Sequence, residues 1–132
     1  QSNPIWGWDD PGVEVTVSFA GQTKSADAAD DGRWEVELDP LEANSEPAVM
    51  TIAGTSKREL QEVLVGEVWM CSGQSNMFQP LKVYKGQPTF GGHAAIVKAN
   101  NPNLRFFSVD KIASKTPLND LKSYTYWQQA TP

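Results

Sequence analysis

Histidine and cysteine each occur once in these 132 residues, as His93 and Cys71. A lone cysteine forms no intrachain disulfide. Without Cys or His neighbours it builds no cysteine-type zinc site. Such a chain suits the cytoplasm and a bridge-free secreted protein equally. Basic runs are also missing: 11 Lys and Arg stand against 16 Asp and Glu, a net charge of -5. That balance argues against nucleic acid or an anionic membrane as the main partner, because both reward clustered cations. The longest mixed cluster, Lys57-Arg58-Glu59, reads as a solvated strand or turn. No stretch approaches the roughly 20 apolar residues of a spanning helix. No signal-peptide pattern is visible, and the opening Gln1-Ser2-Asn3-Pro4 lacks an initiator methionine. The native N-terminus is therefore expected upstream, and residue content alone leaves the compartment open. There is no internal repeat and no low-complexity tract.

The composition that remains, 39% hydrophobic and 20% charged, fits a soluble globular protein, and the length suits one ordinary domain. Residues 1 to about 60 read as all-β. Val13, Val15, Val17 and Phe19 alternate with polar residues, the period of a half-buried strand. Ala20-Gly21 is a turn signal, and Gln22 to Ala26 returns as the second arm. Asp30-Asp31-Gly32 is a hairpin turn, since Asp-Gly tolerates positive φ. It leads into Arg33 to Leu38, with Trp34, Val36 and Leu38 on one face. Asp39-Pro40 stops that strand, residues 42–47 form a loop, and Val49 to Ile52 make another strand. Short strands at this spacing predict a small antiparallel sandwich. Trp6 and Trp8, around Gly7, read as core or edge packing, with a carbohydrate platform as the sharper alternative.

From Gln61 the pattern changes. Val63 to Cys71 is a near-continuous apolar run, as for a strand covered on both faces, and it makes Cys71 a small buried hydrophobe. A long loop holds Pro80, Gly86, Pro88 and Gly91-Gly92. His93 to Asn100 then reads as a short helix that Asn101-Pro102 ends. Leu104 to Val109 follows as a second strand. Strand, loop, helix and strand predict a βαβ unit with a parallel sheet. One such unit leaves sheet faces uncovered, so this part reads as the first third of a domain. Trp127 is expected to anchor the tail.

The apolar run breaks into Ser72-Gly73-Gln74-Ser75-Asn76. Open α/β sheets place their chemistry at the carboxyl ends of strands. A serine in such a turn presents its hydroxyl, and its own N–H becomes available to a developing oxyanion. The hydroxyl still needs a neighbouring base. Ser72 reads as bonding locally and not as the attacking group. Taken alone, a turn of this wording is a weak signal.

Gly66-Glu67-Val68-Trp69-Met70-Cys71-Ser72-Gly73-Gln74-Ser75-Asn76-Met77 resembles, almost residue by residue, the nucleophile block of the sialate O-acetylesterases, within the SGNH (GDSL-like) carbohydrate esterases. Upstream, Pro4 to Trp8, Val15 to Val17, Asp31 to Trp34 and Leu38 to Leu41 resemble the β-sandwich segment before that block. Downstream, Asn101 to Val109 and Trp127 also fit. The resemblance spans nearly the whole chain. It implies a composite fold: a sandwich domain over 1–60 and a partial SGNH-type α/β hydrolase domain over 61–132.

The implied function is hydrolysis of acetyl esters on sugars through an acetyl-serine intermediate. Ser75 is the implied nucleophile, its N–H one oxyanion donor, with Gln74 and Asn76 the nearby candidates for substrate contact. No metal or cofactor is implied. The implied partners are an acetylated sugar or glycan and the remainder of the hydrolase domain, and a secreted or periplasmic setting is favoured. The family's base lies in a late Asp-x-x-His block, which these residues lack. His93 stands where the family places no base and reads as a surface or helix-end residue. The chain is therefore expected to be an N-terminal fragment, itself inactive. The alternative is a non-catalytic carbohydrate-binding or interaction module.

Overall fold

A computed structural model describes residues 2–82, 86–110, 112–119, 121 and 126–132. The chain divides into two compact units, Gln1–Trp69 and Met70–Pro132.

The first unit contains six strands: β1 (Asn3–Trp8), β2 (Glu14–Phe19), β3 (Gln22–Asp27), β4 (Arg33–Leu38), β5 (Asn44–Ala53) and β6 (Lys57–Val65). They form a two-stranded sheet, β1-β4, and a four-stranded sheet in the order β3-β2-β5-β6. All pairings are antiparallel. Period-two patterning puts Val15, Val17 and Phe19 of β2 on one buried face and Trp34, Val36 and Leu38 of β4 on another. With Met50 and Ala28 they make one core shared by the two sheets, which is the expected sandwich.

Two local details differ from the sequence reading. The Asp31-Gly32 turn forms, with Gly32 at φ +79 and its N–H bonded to Ala29 O. Yet β3 pairs with β2 while β4 pairs with β1. The turn thus carries the chain from one sheet to the other, and is not the tip of a two-stranded hairpin. The second difference is β5, which starts at Asn44 within the expected loop. Pro47 sits between the pairs Asn44↔Val65 and Ala48↔Val63, where the register shifts; a bulge is where a ladder tolerates a missing N–H. A second shift follows between Ala48↔Val63 and Met50↔Leu60. Its extra residue lies on β6, where Glu62 takes φ +55, as bulges often require.

The apolar run Val63 to Cys71 is not one buried strand. Val63, Leu64 and Val65 end β6 and are half-buried, whereas Trp69 is 82% exposed and Met70 95%. Cys71 is likewise exposed, correcting its reading as a buried hydrophobe. Continuous apolar runs carry no period, so they do not specify which neighbour covers them.

The second unit contains a 3₁₀ turn (Ser75–Phe78), α1 (Gly92–Val97), β7 (Asn101–Phe106) and β8 (Gln128–Ala130). A helix and a following strand are present, but displaced from the expected His93–Asn100 and Leu104–Val109: the helix is shorter and Asn101-Pro102 already belong to β7. In place of the expected parallel pairing, β7 pairs antiparallel with β8, Phe106 opposite Gln128. Among the described residues no βαβ unit forms, because Val68 to Cys71 lie in no strand. The chain is mostly β-sheet with little helix. Phe107 and Trp127 meet at a 5.4 Å centroid separation, their rings tilted by 52°, so the tail's tryptophan does meet an aromatic partner. Within this unit Phe90, Val97, Leu104 and Phe106 all face solvent. Lys111 and Lys122 to Thr125, parts of the expected tail, lie outside the described residues.

Candidate active site

The turn at Ser75 is built by glycine. Gly73 has φ +154, a conformation that side chains strain to adopt. A Cβ there would stand 2.7 Å from Met77 Cγ. The side chain four residues on thus folds back across the glycine, a contact that no motif marks and only the apolar character of Met77 hints at. Gln74 adopts φ -108, ψ -142 and caps the 3₁₀ turn without a side-chain hydrogen bond. Its carbonyl accepts from the Met77 N–H at 3.1 Å, and Asn76 O accepts from the Gln79 N–H at 3.4 Å.

Ser75 is the first residue of this turn and is exposed. The leading N–H groups of a helical turn have no partner within it, so the Ser75 N–H is directed away from the turn's own bonds. Among the described residues the Ser75 hydroxyl makes no hydrogen bond. Gln74 and Asn76 flank it and are also exposed. The local geometry thus presents one free hydroxyl and one free N–H side by side. Such a pair can serve acyl transfer only where a base also stands by to remove the hydroxyl proton.

His93 occupies the second position of α1 and is exposed. It makes no hydrogen bond to Ser75 among the described residues. Among those residues no group of His, Cys, Asp and Glu is arranged to hold a metal ion.

No protein-family model matches the chain. Individual proteins do. The chain is 34% identical over 128 residues to the sialate O-acetylesterase of Mus musculus and 32% over 128 residues to that of Homo sapiens, with 89% of this chain matched in each case. Over most of its length the chain is similar to sialate O-acetylesterases. It spans only about a quarter of these relatives, 23% and 24% of their lengths. A crystal structure of a carbohydrate acetylesterase from Xanthomonas citri superposes with a TM-score of 0.87 at 35% identity. That match covers 99% of this chain and 29% of the other. At this family level the protein is related to hydrolases of the acetylesterase class.

Proposed function

We propose that this chain is the nucleophile-bearing portion of a carbohydrate O-acetylesterase of the sialate 9-O-acetylesterase kind. In this reading residues 1–60 are a framing sandwich domain, and residues 61–132 belong to an SGNH-type hydrolase domain completed by chain outside these residues. The observation that carries the proposal is the free hydroxyl and free N–H of Ser75 at the head of a glycine-built turn, in a chain related to acetylesterases.

The chemistry follows from those groups. Ser75 Oγ attacks the acetyl carbonyl while a base, a histidine from the remainder of the domain, takes the hydroxyl proton. The carbonyl oxygen gains negative charge, which the Ser75 N–H stabilises as one donor of an oxyanion hole. The tetrahedral intermediate collapses, the sugar oxygen leaves with the proton the base held, and acetyl-serine remains. Water, deprotonated by the same base, releases acetate and restores Ser75. Gln74 and Asn76 flank the acyl group and are the nearest side chains for substrate contact.

The test uses the full-length protein. A fluorophosphonate labels the peptide carrying Ser75, and Ser75→Ala abolishes both the label and ester turnover, a loss of about 10⁴-fold or more. The 132-residue chain alone hydrolyses p-nitrophenyl acetate no faster than its own Ser75→Ala variant. Label on another residue, or an active Ser75→Ala enzyme, overturns the assignment.

A further inference from the structure

The tryptophans of β1 are not core. Trp6 and Trp8 are 52% and 48% exposed and meet edge to face at 5.4 Å. They share the outer face of the two-stranded sheet, because their positions are two apart. Trp8 also borders a cavity of about 200 Å³ at one end of the sandwich. Its apolar lining comes from Val15, Trp34 and Ile52; its polar lining comes from Asp9, Ser56 and Arg58. None of these residues belongs to the Ser75 unit.

The cavity is built by close packing around two glycines. A Cβ on Gly7 would stand 2.8 Å from Trp34 Cζ2, so this glycine admits the indole against the strand. A Cβ on Gly54 would collide with Asp9 Oδ2. That carboxylate accepts hydrogen bonds from the Thr55 N–H at 3.0 Å and the Asp10 N–H at 2.8 Å. Two polar groups in the lining are open to a ligand. Trp34 is 5% exposed as a residue, and its Nε1–H, which makes no hydrogen bond among the described residues, is not one of the buried unpartnered atoms and so opens to the cavity. Arg58, exposed at the rim, makes no ion pair or side-chain hydrogen bond among them either. The two nearby charge pairs, Lys57–Glu59 and Arg33–Glu35, are each already closed.

We infer that this cavity is a binding site for a carboxylate-bearing sugar ring, a sialic or uronic acid unit of a glycan, separate from the ester-cleaving serine. The apolar face of the ring lies on Trp8. The planar guanidinium of Arg58 takes the carboxylate through two parallel hydrogen bonds, the geometry for which Arg is suited. Ring hydroxyls reach the Ser56 hydroxyl and the free lone pairs of Asp9. The choice of a sugar rests on the substrate class proposed above, but the residues are independent of Ser75.

The test is a titration of the ¹⁵N-labelled 132-residue chain with 3′-sialyllactose, glucuronic acid and lactose, followed by indole and amide NMR signals. The expected result is saturable shifts at the Trp8 and Trp34 indoles and the Ser56 amide with both acids, and weaker shifts with lactose. Arg58→Gln, a surface change that leaves the core intact, weakens acid binding by about tenfold or more and removes the preference over lactose. Ser75→Ala leaves the titration unchanged, so a failed nucleophile assignment and a failed cavity assignment are distinguishable. Response to only one acid narrows the ligand to that sugar. Shifts that avoid Trp8 and Trp34, equal response to lactose, or an unaltered Arg58→Gln titration each overturn the site.

Discussion

Leu38 and Leu60 make a controlled test of what holds the sandwich together. Both are strand leucines of the first unit, in β4 and β6. Leu38 is 1% exposed and belongs to the core shared by both sheets, whereas Leu60 is 47% exposed. Truncating a buried leucine loses its transfer free energy and leaves a cavity, together about 2–5 kcal/mol. Half of the Leu60 side chain already meets water and little cavity forms, so Leu60→Ala should cost under about 1 kcal/mol. Whole domains are stable by only about 5–15 kcal/mol, so Leu38→Ala removes a large fraction of the total. At about 4–8 °C per kcal/mol for a domain of this size, its melting temperature falls by more than about 8 °C. The assay is native-state amide exchange at Val17, which is fully buried and reports the free energy of opening the core. Equal losses for the two variants would refute the assignment of the core to the β2–β4 faces.

Further outcomes follow from single contacts. Gly54→Ala forces its new methyl into Asp9 Oδ2, so the Asp9–Thr55 hydrogen bond breaks and exchange at the Thr55 amide accelerates, while a substitution at Gly66, where nothing lies within 4 Å, leaves it unchanged. Hydrogen bonding from Thr55, and then from the Asp10 N–H, holds the Asp9 carboxyl below its usual pKa. Its folded pKa is thus depressed, so the stabilisation is present above the ordinary carboxylate value near 3.9 and is lost as pH falls through the folded value. Asp9→Asn should flatten that acid limb of the stability curve, measured by urea titration at successive pH values. Cys71, exposed rather than buried, should react with a thiol reagent in the folded 132-residue chain as quickly as in urea. Strong protection in the absence of denaturant would contradict the exposed placement.

How much was legible depended on whether the sequence carried a period. In β2 and β4 the apolar residues alternate, and alternation alone states both the strand and its buried face. The Asp31-Gly32 turn was legible for a similar local reason, since positive φ at Gly32 is a property of that residue. Likewise Ser75, opened by Gly73, was marked by local wording. Sequence by itself therefore determined β2 and β4 with their buried faces, the turns at Gly21 and Gly32, and the displayed serine, but not β1, β6, β8 or the start of β5. Pairing was decided elsewhere. Nothing local states that β4 joins β1 and not β3, that β7 runs antiparallel to β8, or that Pro47 sits at a bulge. The run from Val63 to Cys71 has no alternation, so its burial depends entirely on what lies against it. The cavity beside Trp8 is a still clearer case. Its residues come from β1, β2, β4, β5 and β6 and the connections after β1 and β5, brought together only when the two sheets close on one core. A strand's face is a property of its own residues, but a strand's partner, and a cavity between partners, exist only in three dimensions.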